Sequence, residues 1–284
     1  MKLLVFGQTG QVARALARLE PDAVFLGRDR ADLTDPAACA RAIAQARPDA
    51  VINAAAFTAV DKAESDEATA HLVNALAPEA MAQACGEAGV PLVHISTDYV
   101  FDGTGTAAFR PTDPVAPLAT YGRTKAEGEA LVRATGAVHG ILRTSWVFSA
   151  DGSNFVKTML RLSESRDRLT VVGDQVGGPT PAAAIAQACL TIAARLCADP
   201  ALSGSYHFCG APDTTWADFA RTVFALTGRK VDVVDIPTAD YPTPARRPLN
   251  SRLDCTTTQT VFGLAQPDWR AGLRDALFEL KVLA

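Results

Sequence analysis

Tyr121 and Lys125 stand four residues apart in Tyr-Gly-Arg-Thr-Lys, so on a helix they share one face, a turn apart. That spacing has a chemical use. A phenol titrates at about 10 in model peptides, too high for easy proton exchange at neutral pH. A neighbouring ammonium favours the phenolate and draws that value down. A hydroxyl at a strand end can hold a carbonyl oxygen against the phenol, and Ser96-Thr97 close an apolar run that reads as such a strand. Tyr121 as proton donor, Lys125 as tuner and Thr97 as positioner form the set that carbonyl reduction requires. Alone, the Tyr–Lys spacing is equally that of an exposed helical pair.

A second chemical signal lies near the N-terminus, where Gly7-Gln-Thr-Gly10-Gln-Val-Ala13 follows the apolar run Lys2–Phe6. Small residues at that spacing let the backbone turn sharply and approach a phosphate. The helix behind them offers free N–H groups and the positive end of its dipole to a pyrophosphate. Ala13 suits the third position, where a small side chain lets helix and strand pack closely. The same residues also make an ordinary strand–helix turn, and the context of strand before and helix after favours the phosphate reading. The second strand ends in Gly27-Arg28-Asp29-Arg30, where enzymes that prefer NAD place an acidic residue. Arg28 or Arg30 can pair with the 2′-phosphate of NADP, or both are solvated loop arginines. Asp32 and Leu33 then lie near an adenine, and small side chains in Asn53-Ala-Ala-Ala56 let a ribose and diphosphate cross the sheet edge.

These residues need a scaffold, and the hydrophobic rhythm supplies one. Lys2–Phe6, Ala23–Leu26, Ala50–Asn53, Leu92–Ser96 and Gly140–Arg143 read as strands. Between them Gln11–Leu19, Pro36–Ala46 with Asp35 as cap, Asp66–Ala88 and Gly122–Thr135 read as helices. Strands alternating with helices predict the α/β class, a Rossmann-type doubly wound parallel sheet covered on both faces. After about residue 150 the rhythm loosens: Asp151–Glu164 and Pro181–Leu196 read as helices and Thr170–Val172 as a strand. From Ser203 the chain is rich in Pro and turns, with 241–248 extended. The expected division is a dinucleotide-binding domain over 1–150 and a smaller C-terminal substrate-binding lobe over 151–284, some of whose segments return to the first domain.

The 284 residues suffice for a sizeable core, and a net charge of −4 gives no reason to expect nucleic acid or an anionic membrane as partner. No apolar run reaches the roughly 18 residues that span a bilayer, and Gly7 and Gly10 cut short any signal sequence. The six cysteines include no Cys-x-x-Cys pair, so no zinc or redox motif is expected, and they read as reduced thiols of a cytoplasmic protein.

At this point the residues resemble an extended short-chain dehydrogenase/reductase and, more narrowly, the dTDP-4-dehydrorhamnose reductase family. The resemblance rests on FGQTGQVA (6–13), NAAAFTAVDKAE (53–64), HISTDYVFDGTG (94–105), YGRTKAEGE (121–129), RTSWVF (143–148), NFVKTMLRL (154–162), DQVGGPTP (174–181) and YPTPARRPLNSRLD (241–254). It implies reduction of dTDP-4-dehydro-6-deoxy-L-mannose to dTDP-β-L-rhamnose with NADPH or NADH. Tyr121 would give the proton, Lys125 would lower its pKa and hold the nicotinamide ribose, and Thr97 would position the reacting oxygen. Gly7, Gly10, Gln11 and Val12 would line the pyrophosphate, Arg28, Asp32 and Leu33 the adenosine end, and Ala55, Ala56, Phe57 and Thr58 the cofactor's middle. Thr97, Asp98, Tyr99, Tyr121, Trp146, Asn154 and Arg247 would meet the dTDP-sugar. Trp146 is a flat wall for the deoxysugar or a core residue. Asn154 contacts the diphosphate or caps the helix after it. Arg246 and Arg247 contact the diphosphate or tie the Pro-rich segment to the first domain.

Phe57 departs from the family, standing where a His is often found. The first helix carries no carboxylate before Glu20, which argues against the metal-bridged dimer of some members. No metal is expected, and a homodimer stays open. Two rivals remain: a related sugar-nucleotide epimerase or dehydratase, and a non-catalytic subunit of the kind that regulates methionine adenosyltransferase. Asp98-Tyr99 after Thr97 is not the acidic pair of a dehydratase, and the intact Thr97, Tyr121 and Lys125 speak against the non-catalytic subunit.

Overall fold

Buried apolar runs give the first half its strands, and capped amphipathic stretches its helices. In the computed structural model, which describes residues 1–283, these are β1 (Leu3–Phe6), α1 (Gln11–Leu19), β2 (Val24–Leu26), α2 (Pro36–Ala46), β3 (Ala50–Asn53), α3 (Val60–Ala63), α4 (Glu67–His71), α5 (Ala77–Ala88), β4 (Leu92–Thr97), α6 (Thr120–Ala134) and β5 (His139–Thr144). The second half holds β6 (Val147–Phe148), α7 (Phe155–Leu162), β7 (Arg168–Val172), β8 (Val176–Gly177), β9 (Thr180–Pro181), α8 (Ala182–Ala198), β10 (Gly204–His207), β11 (Thr214–Thr215), α9 (Trp216–Leu226), β12 (Asp232–Ile236), β13 (Asn250–Ser251), α10 (Thr256–Phe262) and α11 (Trp269–Glu279). Ala284, the last residue assigned to the C-terminal lobe, lies outside the described residues.

Six strands form one parallel sheet in the order β10-β5-β4-β3-β1-β2. The chain runs outward from β1 to β2 and then returns to the other side of β1, so a crevice opens at the carboxyl ends between β1 and β3. Helices cover both faces. One apolar layer joins Leu3, Val5, Leu16, Ile52, Val93 and Leu142 to α8. The other joins Leu4, Phe6, Val51, Leu92 and Ile141 to α2, α5 and Val132 of α6. The alternation of period two in β1 and β4 divides these residues between the layers.

The second half both returns and departs. β10 pairs with β5 and α8 packs under the sheet, whereas α7, α9 and α11 bury their own core with β7 and β12 around Phe219, Val223 and Trp269. Three sequence expectations change here. The helix expected from Asp151 starts at Phe155, because the Asn154 side chain accepts from the Lys157 N–H and caps it there. α9, β10 and β12 arise in the stretch read as turns. The helix expected over Asp66–Ala88 is broken by a π-helical turn, Leu72–Leu76. Pro78 explains the break, since it has no N–H to offer the Asn74 carbonyl four residues back and its ring crowds that oxygen. Five of the six cysteines are buried and all six are free; Cys197 is exposed.

Candidate active site

The glycine turn after β1 is built for close approach. Gly7 has φ +112°, which side chains rarely adopt, and a Cβ there would stand 3.2 Å from the Ala54 carbonyl oxygen. Gly10 is the N-cap of α1 with no side-chain bond, so the first N–H groups of α1 have no intrahelical partner. No acidic side chain occupies that first turn. A pyrophosphate fits this end of the helix on both counts. The Val12 side chain is buried in the core, which leaves its backbone N–H for that role. Gln11 reaches across the crevice: its Oε1 accepts from Ser149 Oγ and from Asn154 Nδ2, each at 2.9 Å.

At the far end of the crevice Arg28 and Arg30 are both exposed, and Arg30 borders a depression between β2 and α2 with Val24 and Ala46. The Thr34 N–H holds the Asp32 carboxyl below its usual range, with the Thr34 hydroxyl and the Arg28 charge adding to it against burial. Leu33 is a core residue under α2, so its side chain is not free for a ligand. The loop over Ala55, Ala56, Phe57 and Thr58 is pinned from behind by buried Asn74. The Asn74 Oδ1 accepts from the Phe57 N–H at 2.9 Å, and its Nδ2 donates to the Phe57 carbonyl and to Thr124 Oγ1, each at 3.2 Å. The π-helical turn thus gives Asn74 a task no sequence signal announces.

α6 carries Tyr121 and Lys125, and its position is set by contact. Cβ atoms at Gly122 and Gly128 would collide with the carbonyls of Tyr99 and Asn74, so α6 lies directly on those backbones. Its N-cap, Ala119, has no side chain to spare, and Glu64 from the loop after α3 accepts the Thr120 N–H at 2.7 Å instead. Tyr121 falls in the first turn, with its ring edge-on to Tyr99 at 5.5 Å. Burial pushes the Tyr121 phenol up to about 12; the Thr97 hydroxyl works against this and the Asp98 charge with it. Lys125 is fully buried. Its Nζ lies 3.0 Å from His94 Nε2 and donates to the Ile95 carbonyl at 2.6 Å. Burial lowers Lys125 to about 8, against the pull of Glu129.

Lys125 is not among the groups that shift the Tyr121 phenol here. The amine is engaged elsewhere, and burial wins at Tyr121. The phenol keeps its proton at neutral pH, as a donor must.

Beneath these residues the sheet face turns polar toward its carboxyl ends. Asn53 pairs with His94, and Ser96 with Arg143, as direct cross-strand neighbours. Arg143 grips the buried Glu129 carboxylate through Nε at 2.9 Å and Nη2 at 2.6 Å, while Ser96 Oγ donates to the same group at 2.6 Å. Burial alone would raise the Glu129 carboxyl, but these bonds and charges hold it below its usual range. Glu129 completes a stripe at four-residue spacing with Tyr121 and Lys125, the one sequence signal that could have exposed it.

On the substrate side, Asp98 is buried with one carboxylate oxygen lacking a partner, and burial raises its carboxyl to about 6 against bonds from Ser251 and Thr97. Burial also raises the phenol of Tyr99. Trp146 is half-buried, adopts φ +49° and stacks on Trp216 at 3.6 Å. Such backbone strain in a non-glycine residue clusters at ligand clamps. Asn154 caps α7 and bonds Gln11, and Arg247 pairs with Asp61 of α3 at 2.9 Å. Both therefore make the structural contacts that the sequence allowed; Arg246 is exposed. Among the described residues no group of three or more His, Cys, Asp or Glu side chains is arranged to hold a metal ion, and no helix is long and apolar enough to cross a membrane.

A family model described as the RmlD substrate binding domain matches residues 1–282. A dTDP-4-dehydrorhamnose reductase of Sinorhizobium fredii is 45% identical over 99% of this chain and 98% of its own length. The crystal structure of a dTDP-4-dehydrorhamnose reductase from Clostridium acetobutylicum superposes with a TM-score of 0.92 at 35% identity, covering 99% of this chain and all of that one. A Bacillus anthracis dTDP-4-dehydrorhamnose reductase in complex with NADP gives a TM-score of 0.90 at 32% identity, covering 98% of this chain and 100% of its own.

Proposed function

The chain belongs to the dTDP-4-dehydrorhamnose reductase family, and from that premise we propose that it reduces the 4-keto group of dTDP-4-dehydro-6-deoxy-L-mannose, giving dTDP-β-L-rhamnose with NADPH or NADH. The observation that carries the reading is the Thr97 hydroxyl at the end of β4 bonded to the Tyr121 phenol, with Lys125 one turn further along α6, on the same sheet that presents the Gly7–Gly10 turn.

When bound, the nicotinamide supplies the hydride. The protein binds, orients and supplies the proton. The backbone of Gly7, Gly10, Gln11 and Val12 would hold the pyrophosphate, and Ala55, Ala56, Phe57 and Thr58 would line the middle of the cofactor. Arg28, Asp32 and the backbone of Leu33 would stand at the adenosine end, where Arg28 or Arg30, both exposed, could meet a 2′-phosphate. Lys125 would hold the nicotinamide ribose. Thr97 and Tyr121 converge on the reacting oxygen; Tyr121, protonated at neutral pH, gives its proton there as charge develops. Asp98, Tyr99 and Trp146 border the sugar. Asn154, bonded to Gln11, and Arg247, which keeps N–H donors beyond the one it gives Asp61, would meet the diphosphate. Residues 1–150 with the returning α8 and β10 make the cofactor domain, and α7, α9 and α11 with their strands form the body of the substrate lobe.

Absorbance of the reduced nicotinamide, followed on adding the 4-keto sugar nucleotide, tests this. Wild type consumes NADPH or NADH, and Tyr121→Phe is slower by about 10²–10⁴-fold, the usual contribution of a positioned acid. No consumption by folded wild-type protein with either cofactor would overturn the assignment in favour of a binding subunit.

A further inference from the structure

Asn53, His94 and Lys125 form a buried chain whose donors and acceptors do not balance for a charged lysine. The count starts from a fixed point. The Ala55 backbone N–H can only donate, and it lies 3.1 Å from Asn53 Oδ1. The other amide atom of Asn53, the donor Nδ2, therefore faces His94 Nδ1 at 3.1 Å. His94 is fully buried, and burial above all holds its ring neutral. A neutral ring that accepts at Nδ1 carries its proton on Nε2. That N–H points at Lys125 Nζ, 3.0 Å away. An ammonium has no lone pair to receive it, whereas a neutral amine does, and the amine still donates to the Ile95 carbonyl at 2.6 Å. If Lys125 were charged, one buried contact in the chain would set donor against donor.

We propose that Asn53 fixes the tautomer of His94, and that His94 thereby favours the neutral amine of Lys125 and weakens its hold on the third proton in the cofactor-free protein. Asn53 and His94 are on this view positioning residues for the proton chemistry of the site, set by the register that pairs them across β3 and β4. The lowering of Lys125 to about 8 by burial works in the same direction. The charged or titratable groups that act on the amine are His94 from β4, with His139 behind it on β5, and Glu129 from α6; Glu129, which favours the ammonium, is already engaged by Arg143. The same molecule holds the opposite tautomer for comparison. His207 Nδ1 donates to the Phe109 carbonyl at 3.0 Å, which leaves its Nε2 to accept from Arg143 at 3.3 Å.

The test uses the whole cofactor-free protein and reads no turnover, so its result is independent of the proposed reduction. The 13Cε resonances of its six lysines are titrated by NMR, with Lys125→Arg identifying one signal. Lys125 is expected to titrate near 8, below the other five. Asn53→Ala, which frees His94 to accept from the amine, should move it up by about one pH unit, a tenfold change in proton affinity. Asn53→Asp, which replaces the donor by an acceptor, should move it further. An ordinary lysine titration in wild type, or no movement in either variant, overturns the proposal. A measurement that needs no altered fold backs it: the 15N shifts of His94 in wild type must report a proton on Nε2, opposite to His207, and a proton on Nδ1 overturns it.

Discussion

The Glu129 cluster and the Lys125 cluster share one helix, one sheet face and near-complete burial, yet they differ in how donors meet acceptors. Around Glu129 each charge finds its counterpart: Arg143 bonds the carboxylate with two nitrogens, Ser96 adds a hydroxyl, and the spare Arg143 nitrogen reaches the Pro111 carbonyl and His207. Around Lys125 donors outnumber acceptors when the amine is charged and match them when it is neutral. A closed cluster resists change of charge and braces the fold. An unbalanced one leaves a proton's location open to neighbours, which is what a site for proton transfer needs.

The strongest test of that contrast is to remove one member of each. Arg143→Met strands a buried carboxylate and should cost roughly 3–5 kcal/mol, read as a lowered urea midpoint. Lys125→Met leaves a histidine N–H and a carbonyl unmatched, about 1–3 kcal/mol, while turnover is lost. If Lys125→Met destabilised as much as Arg143→Met, the division into brace and proton site would fail.

Asp98 lies between the two types, buried and hydrogen-bonded but with one oxygen unmatched. Its folded pKa of about 6 exceeds the unfolded value near 3.8. The folded state thus holds the proton more tightly. That stability is fully present below the unfolded value and is lost as pH rises through about 6, amounting to about 3 kcal/mol. Asp98→Asn should remove this slope. Urea denaturation of both proteins from pH 3 to pH 8 would show their stabilities diverging between about 4 and about 6 in favour of the variant; parallel curves would mean that Asp98 is charged and content.

How much of this was legible in the sequence follows from which contacts are local. The Gly7–Gly10 turn, the Asp35 cap and the Tyr121–Lys125 spacing each lie within one element, and each is where the sequence puts it. The partners of Lys125 depend on the register of β3 against β4, which a single strand does not announce. β10 is four residues opening with glycine, too short and too little apolar to read as a strand until β5 pairs with it. α9 had its signal, with Trp216, Phe219, Ala220, Val223 and Phe224 at helical spacing after a Thr215 cap, but the surrounding Pro and turn residues masked it. Pro78 was likewise readable, and the break it forces explains how Asn74 comes to hold the loop at Phe57.

Both clusters hang on α6, so moving the helix should disturb them together where single side chains disturb one. A methyl group at position 128 would strike the Asn74 carbonyl, which is backbone and cannot swing aside. Gly128→Ala should therefore cost about 1–3 kcal/mol by overpacking and also shift the titration of Lys125; a stability loss with Lys125 unmoved would show that the helix gives way locally.

The smallest expected effect separates the placing of α6 from its charges. Glu64 is exposed and belongs to neither cluster, yet its carboxylate supplies the bond that the Ala119 N-cap cannot, at the positive end of the helix. Glu64→Ala should lose about 1 kcal/mol, the ordinary worth of a cap, and Glu64→Gln, which keeps an accepting oxygen but not the charge, should recover part of it. Neither change touches a buried charge, so the Lys125 titration should stay where it is in wild type while the first turn of α6, with Tyr121 in it, frays. Hydrogen exchange at the amides of residues 120–123 reads that directly. Faster exchange there with Lys125 unmoved would show that the phenol is held by the helix end and the amine by the sheet; a joint shift would tie both to the same support.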